Sequence, residues 1–235
     1  MDSPSPPVIW ARLAAPRRVR ERPLDYEIIT RAAVAIADLD GLDAVSMRRV
    51  ASRIESGTMS LYRHIRGKDD LIELMYDHVL GELDLAERPS KGWRAELADL
   101  AGRSRALQHR HPWVSQIGQR PTMGPNAVRV MEYAMACVDG LGLTVDRMLD
   151  MVSTTLHFTQ GFVQAELAEA EERRRTGLDE DAWRDWMAPY LSRLLNEEEH
   201  PYLERIVTEA GHPGQDEVFG RRLEMVLDGL ALGLR

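Results

Sequence analysis

The stretch from Ser46 to Lys68, SMRRVASRIESGTMSLYRHIRGK, decides the fold of this 235-residue chain. It reads as two short helices joined by a tight turn, with the start of a third behind them. In Met47–Ile54, residues Val50, Ala51 and Ile54 stand at i, i+1 and i+4 and make one apolar face. Ser46 ahead of that run is a good N-cap. Glu55-Ser56-Gly57 supplies the turn, and Thr58 is placed to cap the second helix. That helix, Met59 to Ile65, buries Leu61 and Ile65 and carries Thr58, Met59, Ser60, Tyr62, Arg63 and His64 on its other face. A face that is hydrogen-bonding, aromatic and cationic suits the major groove of DNA. Lys68 heads the next helix, where a cation beside unpaired N–H groups can hold a backbone phosphate. The pattern predicts a helix-turn-helix.

GTMSLYRHIRGKDDL, with SMRRVA ahead of it, resembles the DNA-binding region of TetR-family transcriptional regulators. The resemblance implies that Thr58–His64 is the recognition helix. It further implies that Tyr62 and Lys68 contact phosphates and that Arg48 contacts DNA from the preceding helix. The chain departs from the family at the turn, where Glu55 and Ser56 replace the usual glycine and aliphatic residue. Glu in a left-handed turn position costs about 1 kcal/mol, and Ser56 removes an apolar anchor.

Composition bounds the alternatives. With 44% apolar and 29% charged residues the chain is a soluble globular protein large enough to hold a substantial core. No apolar run approaches a membrane span, and prolines and arginines break up any signal-peptide pattern at the N-terminus. A single cysteine, Cys137, excludes an internal disulfide and fits a reducing cytoplasm; it reads as a small core residue. The net charge of −8 argues against nucleic acid until its distribution is considered. Trp10 to Lys68 holds twelve Lys/Arg and seven Asp/Glu, whereas residues 81–235 hold eighteen and twenty-six. Phosphate binding depends on the local field, and the head is basic.

Residues 1–24 are rich in proline and arginine without a sustained period. Arg12, Arg17, Arg18, Arg20 and Arg22 make a flexible basic arm, able to lie in a minor groove or to remain a solvated tail. A first helix runs from Asp25 to about Leu39 on the stripe Ile28, Ile29, Ala32, Ala33 and Ile36, and Gly41 suits its C-terminus. A fourth helix runs from Asp69 to about Leu83 and connects this head, residues 25–83, to a body of residues 84–235. The turn-rich Glu87–Gly92 marks the break.

The body reads as helical throughout, with no alternating strand pattern, so the chain is predicted all-α. Helices cover Trp93 to about Arg110, ended by His111-Pro112, then Asn126 to Cys137 and a long one from about Val145 to Arg174. Asp181 to Asn196, Tyr202 to Ala210 and about Asp216 to Leu232 complete the set. HFTQGFVQ (157–164), IGQRPT (117–122) and LEMVLDGL (223–230) resemble the C-terminal domain of tetracycline-repressor-type members. That resemblance implies a homodimer with an effector cavity in a helical ligand-binding and dimerisation domain. The last helix, with Val218, Phe219, Leu223, Met225, Val226, Leu227, Leu230 and Leu232, is apolar around most of its circumference and must be buried, as a symmetric partner would do together with Phe162. Two heads would then meet a palindromic operator of double-stranded DNA with half-sites about one helical turn, roughly 34 Å, apart.

In the tetracycline repressors a histidine before the GxRP motif holds magnesium and a glutamate after HFT assists. Here Gln116 and Ala165 stand at those positions, and neither an amide nor a methyl is a hard-cation ligand of that strength. The effector-pocket candidates are Gln116, Arg120, Met131, Met135, Leu149, Val152, Ser153, Leu156 and His157, a set suited to a small organic molecule and equally to plain core packing. His109 and His111 lack the spacing of a zinc site. Phosphate-loop and nucleophile-elbow motifs are absent, and no cofactor or metal is expected. The favoured reading is a ligand-responsive transcriptional repressor, not an enzyme. Its rivals are a dimeric small-molecule-binding protein of the same fold without sequence-specific DNA binding, and a small all-α metal-dependent hydrolase using the loop His109–Trp113.

Overall fold

The computed structural model describes residues 9–14, 26–117, 124–195 and 199–234. Within these residues every regular element is helical: α1 (Ile9–Ala14), α2 (Tyr26–Asp40), α3 (Met47–Arg53), α4 (Thr58–Tyr62), α5 (Lys68–Leu80), α6 (Trp93–Arg110), α7 (Pro125–Cys137), α8 (Val145–Thr176), α9 (Glu180–Leu194), α10 (Pro201–Glu209) and α11 (Gln215–Leu232), with short 3-10 turns at Leu42–Ala44 and Pro112–Gln116. No helix among the described residues is long and apolar enough to cross a membrane. The chain forms two compact units, 1–156 and 157–235.

In the first unit α2, α3 and α5 surround one core. Ile29, Ala33, Ile36, Val50, Ala51, Leu61, Ile65, Leu71, Met75 and Val79 are all buried in it. The same core takes in Leu107, Trp113 and Val114 from the end of α6 and the turn behind it. Ile28, expected on the inner stripe of α2, is instead 54% exposed. The helical period places Ile29, Ala33 and Ile36 inward and carries their neighbour past the edge of the face. Helix α5 ends at Leu80 rather than near Leu83, which is buried beyond the helix end.

The N-terminal stretch also differs from the expected flexible arm. Residues Ile9–Ala14 are a helix whose Ile9 is buried in the head core, with Trp10 and Leu13 packed against it. Arg12 forms an ion pair with Asp70 and so is engaged within the protein. Arg17, Arg18, Arg20, Arg22 and Asp25 lie outside the described residues. A six-residue helix spans too few turns to show a period, and tertiary burial of Ile9 and Trp10 stabilises what local propensity does not.

Helix α7 is fastened to α5 by a buried carboxylate. Asp77 of α5 accepts from the backbone N–H of Ala127 at 2.9 Å and from Asn126 Nδ2 at 3.2 Å, satisfying donors in the first turn of α7. Gly124 lies against it so closely that a Cβ there would stand 2.2 Å from Asp77 Oδ1 and 2.6 Å from Trp10 Cζ2. The expected break at Glu87–Gly92 is a loop inside the first unit.

In the second unit Phe158, Phe162 and Phe219 form a ring cluster with centroids 5.2–6.0 Å apart. Phe219, Leu223 and Leu227 are buried along one stripe of α11. Helices α9 and α10 bury no residue at all. Trp183, Trp186, Tyr190 and Leu194, and then Tyr202, Leu203, Ile206 and Val207, are about half exposed or more.

Candidate DNA interface and effector region

The helix-turn-helix is built by local hydrogen bonds. Ser46 caps α3, its Oγ accepting from the backbone N–H of Arg49 at 3.2 Å. At the other end of α3 the N–H of Ser56 bonds to Ala51 O at 2.9 Å and that of Glu55 to Ser52 O at 3.2 Å. This pair of bonds is a Schellman motif with Glu55 at the C′ position. Glu55 has φ +52° and is the only non-glycine with positive φ among the described residues. The turn therefore keeps the regular geometry and pays in strain at one residue. Glu55→Gly is expected to raise the unfolding free energy by about 0.5–1 kcal/mol, since the left-handed conformation costs glycine nothing; urea denaturation of the two proteins checks this, and equal midpoints would refute strain at this site.

Thr58 does not cap α4; it is the first helical residue, and Gly57 precedes it in extended conformation with no side-chain cap. The helix is also shorter than the pattern implies and ends at Tyr62. His64 and Ile65 leave it in a turn whose N–H groups both bond to Leu61 O at 2.9 Å. Tyr26 Oη donates to His64 O at 3.3 Å, and the two rings meet edge-on at 5.7 Å. Helix α2 thus takes up a carbonyl that the shortened helix leaves without a helical partner.

Leu61 and Ile65 are fully buried, whereas Met59 is 78% exposed. Tyr62, Arg63, Arg48 and Lys68 are exposed, and Thr58, Ser60 and His64 half-buried. Arg63 Nη2 donates to Ser60 Oγ at 3.1 Å, which restricts the guanidinium before any partner arrives. Lys68 Nζ donates to Leu42 O at 3.1 Å and, with three donors on the ammonium, keeps others at the surface. Arg53 and Arg66 are further exposed cations not singled out by the motif. The signal was in the charge count: the 46–68 stretch holds five arginines and one lysine against Glu55 alone.

The effector candidates are dispersed. Val152 is buried and Met135, Ser153 and Leu156 are half-buried, but Gln116, Met131, Leu149 and His157 are exposed, and Arg120 lies outside the described residues. Val128 and Met131 turn outward because the inner side of α7 is Tyr133, Ala134 and Cys137. A cleft of about 860 Å³ in the first unit is lined by none of the candidates; Trp93, Arg129, Glu132, Tyr133, Cys137 and Asp139 are among its walls. Burial pushes the Cys137 thiol up to about 12, with the nearby Glu96 charge adding to it, so this is an unreactive core thiol. No group of three or more His, Cys, Asp or Glu side chains able to hold a metal occurs among the described residues. His111 is enclosed by Asp38 and Glu82 rather than open to a substrate.

Of the expected dimer residues, Phe162, Phe219, Leu223 and Leu227 are buried already in the single chain, and Val218, Val226 and Leu230 are half-buried. The i, i+4 stripe of α11 faces its own chain. The apolar excess that remains outside is Met225 and Leu232, with the exposed faces of α9 and α10.

Residues 85–233 match the family described as tetracyclin repressor-like, C-terminal domain, and residues 29–75 match the bacterial regulatory proteins of the tetR family. The chain belongs to the TetR family. A relative in Streptomyces coeruleorubidus, the HTH-type transcriptional repressor DrrR1, is 36% identical over 95% of this chain and 83% of its own. Two structures of ActR from Streptomyces coelicolor superpose on it with a TM-score of 0.77. The apo form is 25% identical and covers 92% of this chain and 98% of its own; the actinorhodin complex is 26% identical and covers 91% and 98%. This TetR-family chain is accordingly a transcriptional regulator with a helix-turn-helix head and a helical C-terminal domain, and members of its family are not enzymes.

Proposed function

We propose that the protein is a cytoplasmic one-component repressor that binds a palindromic operator as a homodimer and is released by a small organic effector. The observation that carries this reading is the two-sidedness of α4. Leu61 fixes it to the core while Met59, Tyr62 and Arg63 stand in solvent on the most basic part of the chain. Arg48, Thr58, Ser60, His64 and Lys68 complete the proposed DNA contacts, with residues 25–83 as the DNA-binding domain and 84–235 as the effector and dimerisation domain. A second copy would cover Met225 and Leu232 together with the aromatic faces of α9 and α10, which are too apolar to remain in water as an isolated surface. The effector would lie against Met135, Val152, Ser153 and Leu156. Ligand binding by ActR in its actinorhodin complex supports an organic effector, and Gln116 and Ala165 argue against a tetracycline–magnesium chelate.

Selection of bound sequences from a random DNA pool tests the reading, and enrichment of a palindrome is the expected result. On the enriched site Arg63→Ala is expected to lose about 1–3 kcal/mol and to leave non-specific binding unchanged. Lys68→Ala should weaken all DNA binding and lower the slope of log K against log salt by about one. Parent-like affinities for both variants would remove these residues from the interface.

A further inference from the structure

Arg12 belongs by sequence to an arm fit for a DNA groove, but its side chain is directed into the protein. Ile9 is buried, and Trp10 and Leu13 pack against the head core, so α1 is held in a fixed place. From there the Arg12 guanidinium, in a side chain 23% exposed, pairs with Asp70 in the first turn of α5. The same carboxylate oxygen, Asp70 Oδ2, accepts from the backbone N–H of Arg66 at 2.9 Å. Arg66 stands two residues before Lys68, in the turn that leads from α4 into α5, and both cations are exposed. Lys68 fastens that turn a second time, its Nζ donating to Leu42 O at 3.1 Å. Asp70 is therefore shared between a helix near the N-terminus and the backbone that presents two cations.

Uncompensated, Asp70 would work against the cations beside it. Helix α5 opens on Asp69 and Asp70 directly behind Lys68, and Glu73 follows one turn later. Burial, and then the Asp70 charge, push the Glu73 carboxyl above its usual range, and Arg12 acts against them. Carboxylates next to a phosphate-binding turn repel the DNA backbone across about one Debye length, roughly 10 Å. A guanidinium on Asp70 removes part of that repulsion and keeps the carboxylate turned toward the Arg66 N–H.

We propose that Arg12 is a positioning residue for DNA binding, acting through Asp70 rather than through any phosphate. It neutralises Asp70 and so fixes the turn that presents Arg66 and Lys68 to the DNA backbone. The proposal rests on the DNA-binding reading of the head.

A double-mutant cycle on the full-length protein tests it. Binding is read on the palindrome enriched from the random pool and on a random-sequence duplex. Arg12→Ala is expected to lower affinity for both duplexes about fivefold in the parent background. In a protein that already carries Asp70→Asn, the same change should cost less than about twofold. The amide oxygen still accepts from Arg66 and leaves no charge to neutralise. Thermal unfolding of all four proteins without DNA ensures that binding is compared between folded molecules. Should Arg12→Ala fail to fold, Arg12→Gln, which keeps a donor but not the charge, takes its place with the same expected pattern. Equal losses in both backgrounds, with the slope of log K against log salt lowered by about one in each, would make Arg12 a direct phosphate contact and overturn the proposal. Unchanged affinity with a lowered unfolding midpoint would overturn it as well, leaving the pair a purely structural one. A parent that binds neither duplex would refute the DNA-binding reading and this proposal with it, whereas a parent that binds, without coupling between positions 12 and 70, sinks the proposal alone.

Discussion

Replacing Leu61 by alanine is expected to destabilise the protein by about 2–5 kcal/mol, as full-to-partial loss of a fully buried leucine does when its site cannot collapse. The cost falls on DNA binding as well. Helix α4 has five residues and no side-chain cap, far too short to be stable alone. Its position depends on two side chains in the core, its own Leu61 and Ile65 in the turn just behind it, both 0% exposed. With one removed, Met59, Tyr62 and Arg63 lose their fixed aim and operator affinity drops even at temperatures where the protein stays folded. Met59→Ala, at a residue 78% exposed, is the matching control, with stability within about 0.5 kcal/mol of the parent. Urea titrations and operator binding on the three proteins provide the comparison. A Leu61→Ala protein as stable as its parent would show that the helix is held by something else.

What made this region legible was the agreement of several short-range signals. Ser46 caps, Val50, Ala51, Leu61 and Ile65 are buried where their spacing puts them, and Lys68 begins α5. Glu55 is a case where the sequence hid a regular feature: the Schellman turn forms although its usual glycine is missing, because two backbone hydrogen bonds outweigh about 1 kcal/mol of left-handed strain. Length decided what was missed locally. Helix α1 is too short to show a period, and its burial comes from partners such as Asp70 and Gly124 far along the chain. The Asp38–His111–Trp113 cluster joins residues 73 and 75 positions apart, a separation at which no motif operates. In the body, periodicity located the helices but did not say which side faces inward. Helices α9 and α10 carry apolar residues at helical spacing, yet bury nothing within one chain. Family resemblance placed the effector residues by position alone, and burial divides them: Val152 is inside, while Met131, Leu149 and His157 are not.

Glu96→Ala is expected to have an effect of similar size elsewhere in the first unit. This carboxylate, 3% exposed, accepts from the backbone N–H groups of Ser90 at 2.6 Å and Lys91 at 2.8 Å and from Tyr133 Oη at 2.6 Å. One side chain thereby fastens the loop before α6 and pins it to α7. Removing it leaves the buried Tyr133 hydroxyl and two loop N–H groups without their acceptor, at a cost of about 2–4 kcal/mol. The half-exposed pair of Asp99 and Arg103, at 3.0 Å on the same helix, offers a contrast: Asp99→Ala should cost no more than about 0.5 kcal/mol. The hydrogen bond from Tyr133, then those from Ser90 and Lys91, hold the Glu96 carboxyl below the usual range against the opposing effect of burial. A group whose pKa is depressed by folding stabilises the protein above the pKa it has when unfolded, about 4.3 for glutamate, and that contribution disappears as pH falls through the lower folded value. The parent should therefore lose stability steeply below about pH 4, and Glu96→Ala, lacking the group, should lose less over the same interval. Unfolding free energies measured from about pH 3 to about pH 7 test both parts at once. Equal stabilities at every pH would show that the carboxylate at position 96 is not the anchor of this loop, and a deficit of Glu96→Ala that is the same at about pH 3 as at about pH 7 would assign its role to packing rather than to charge-assisted hydrogen bonds.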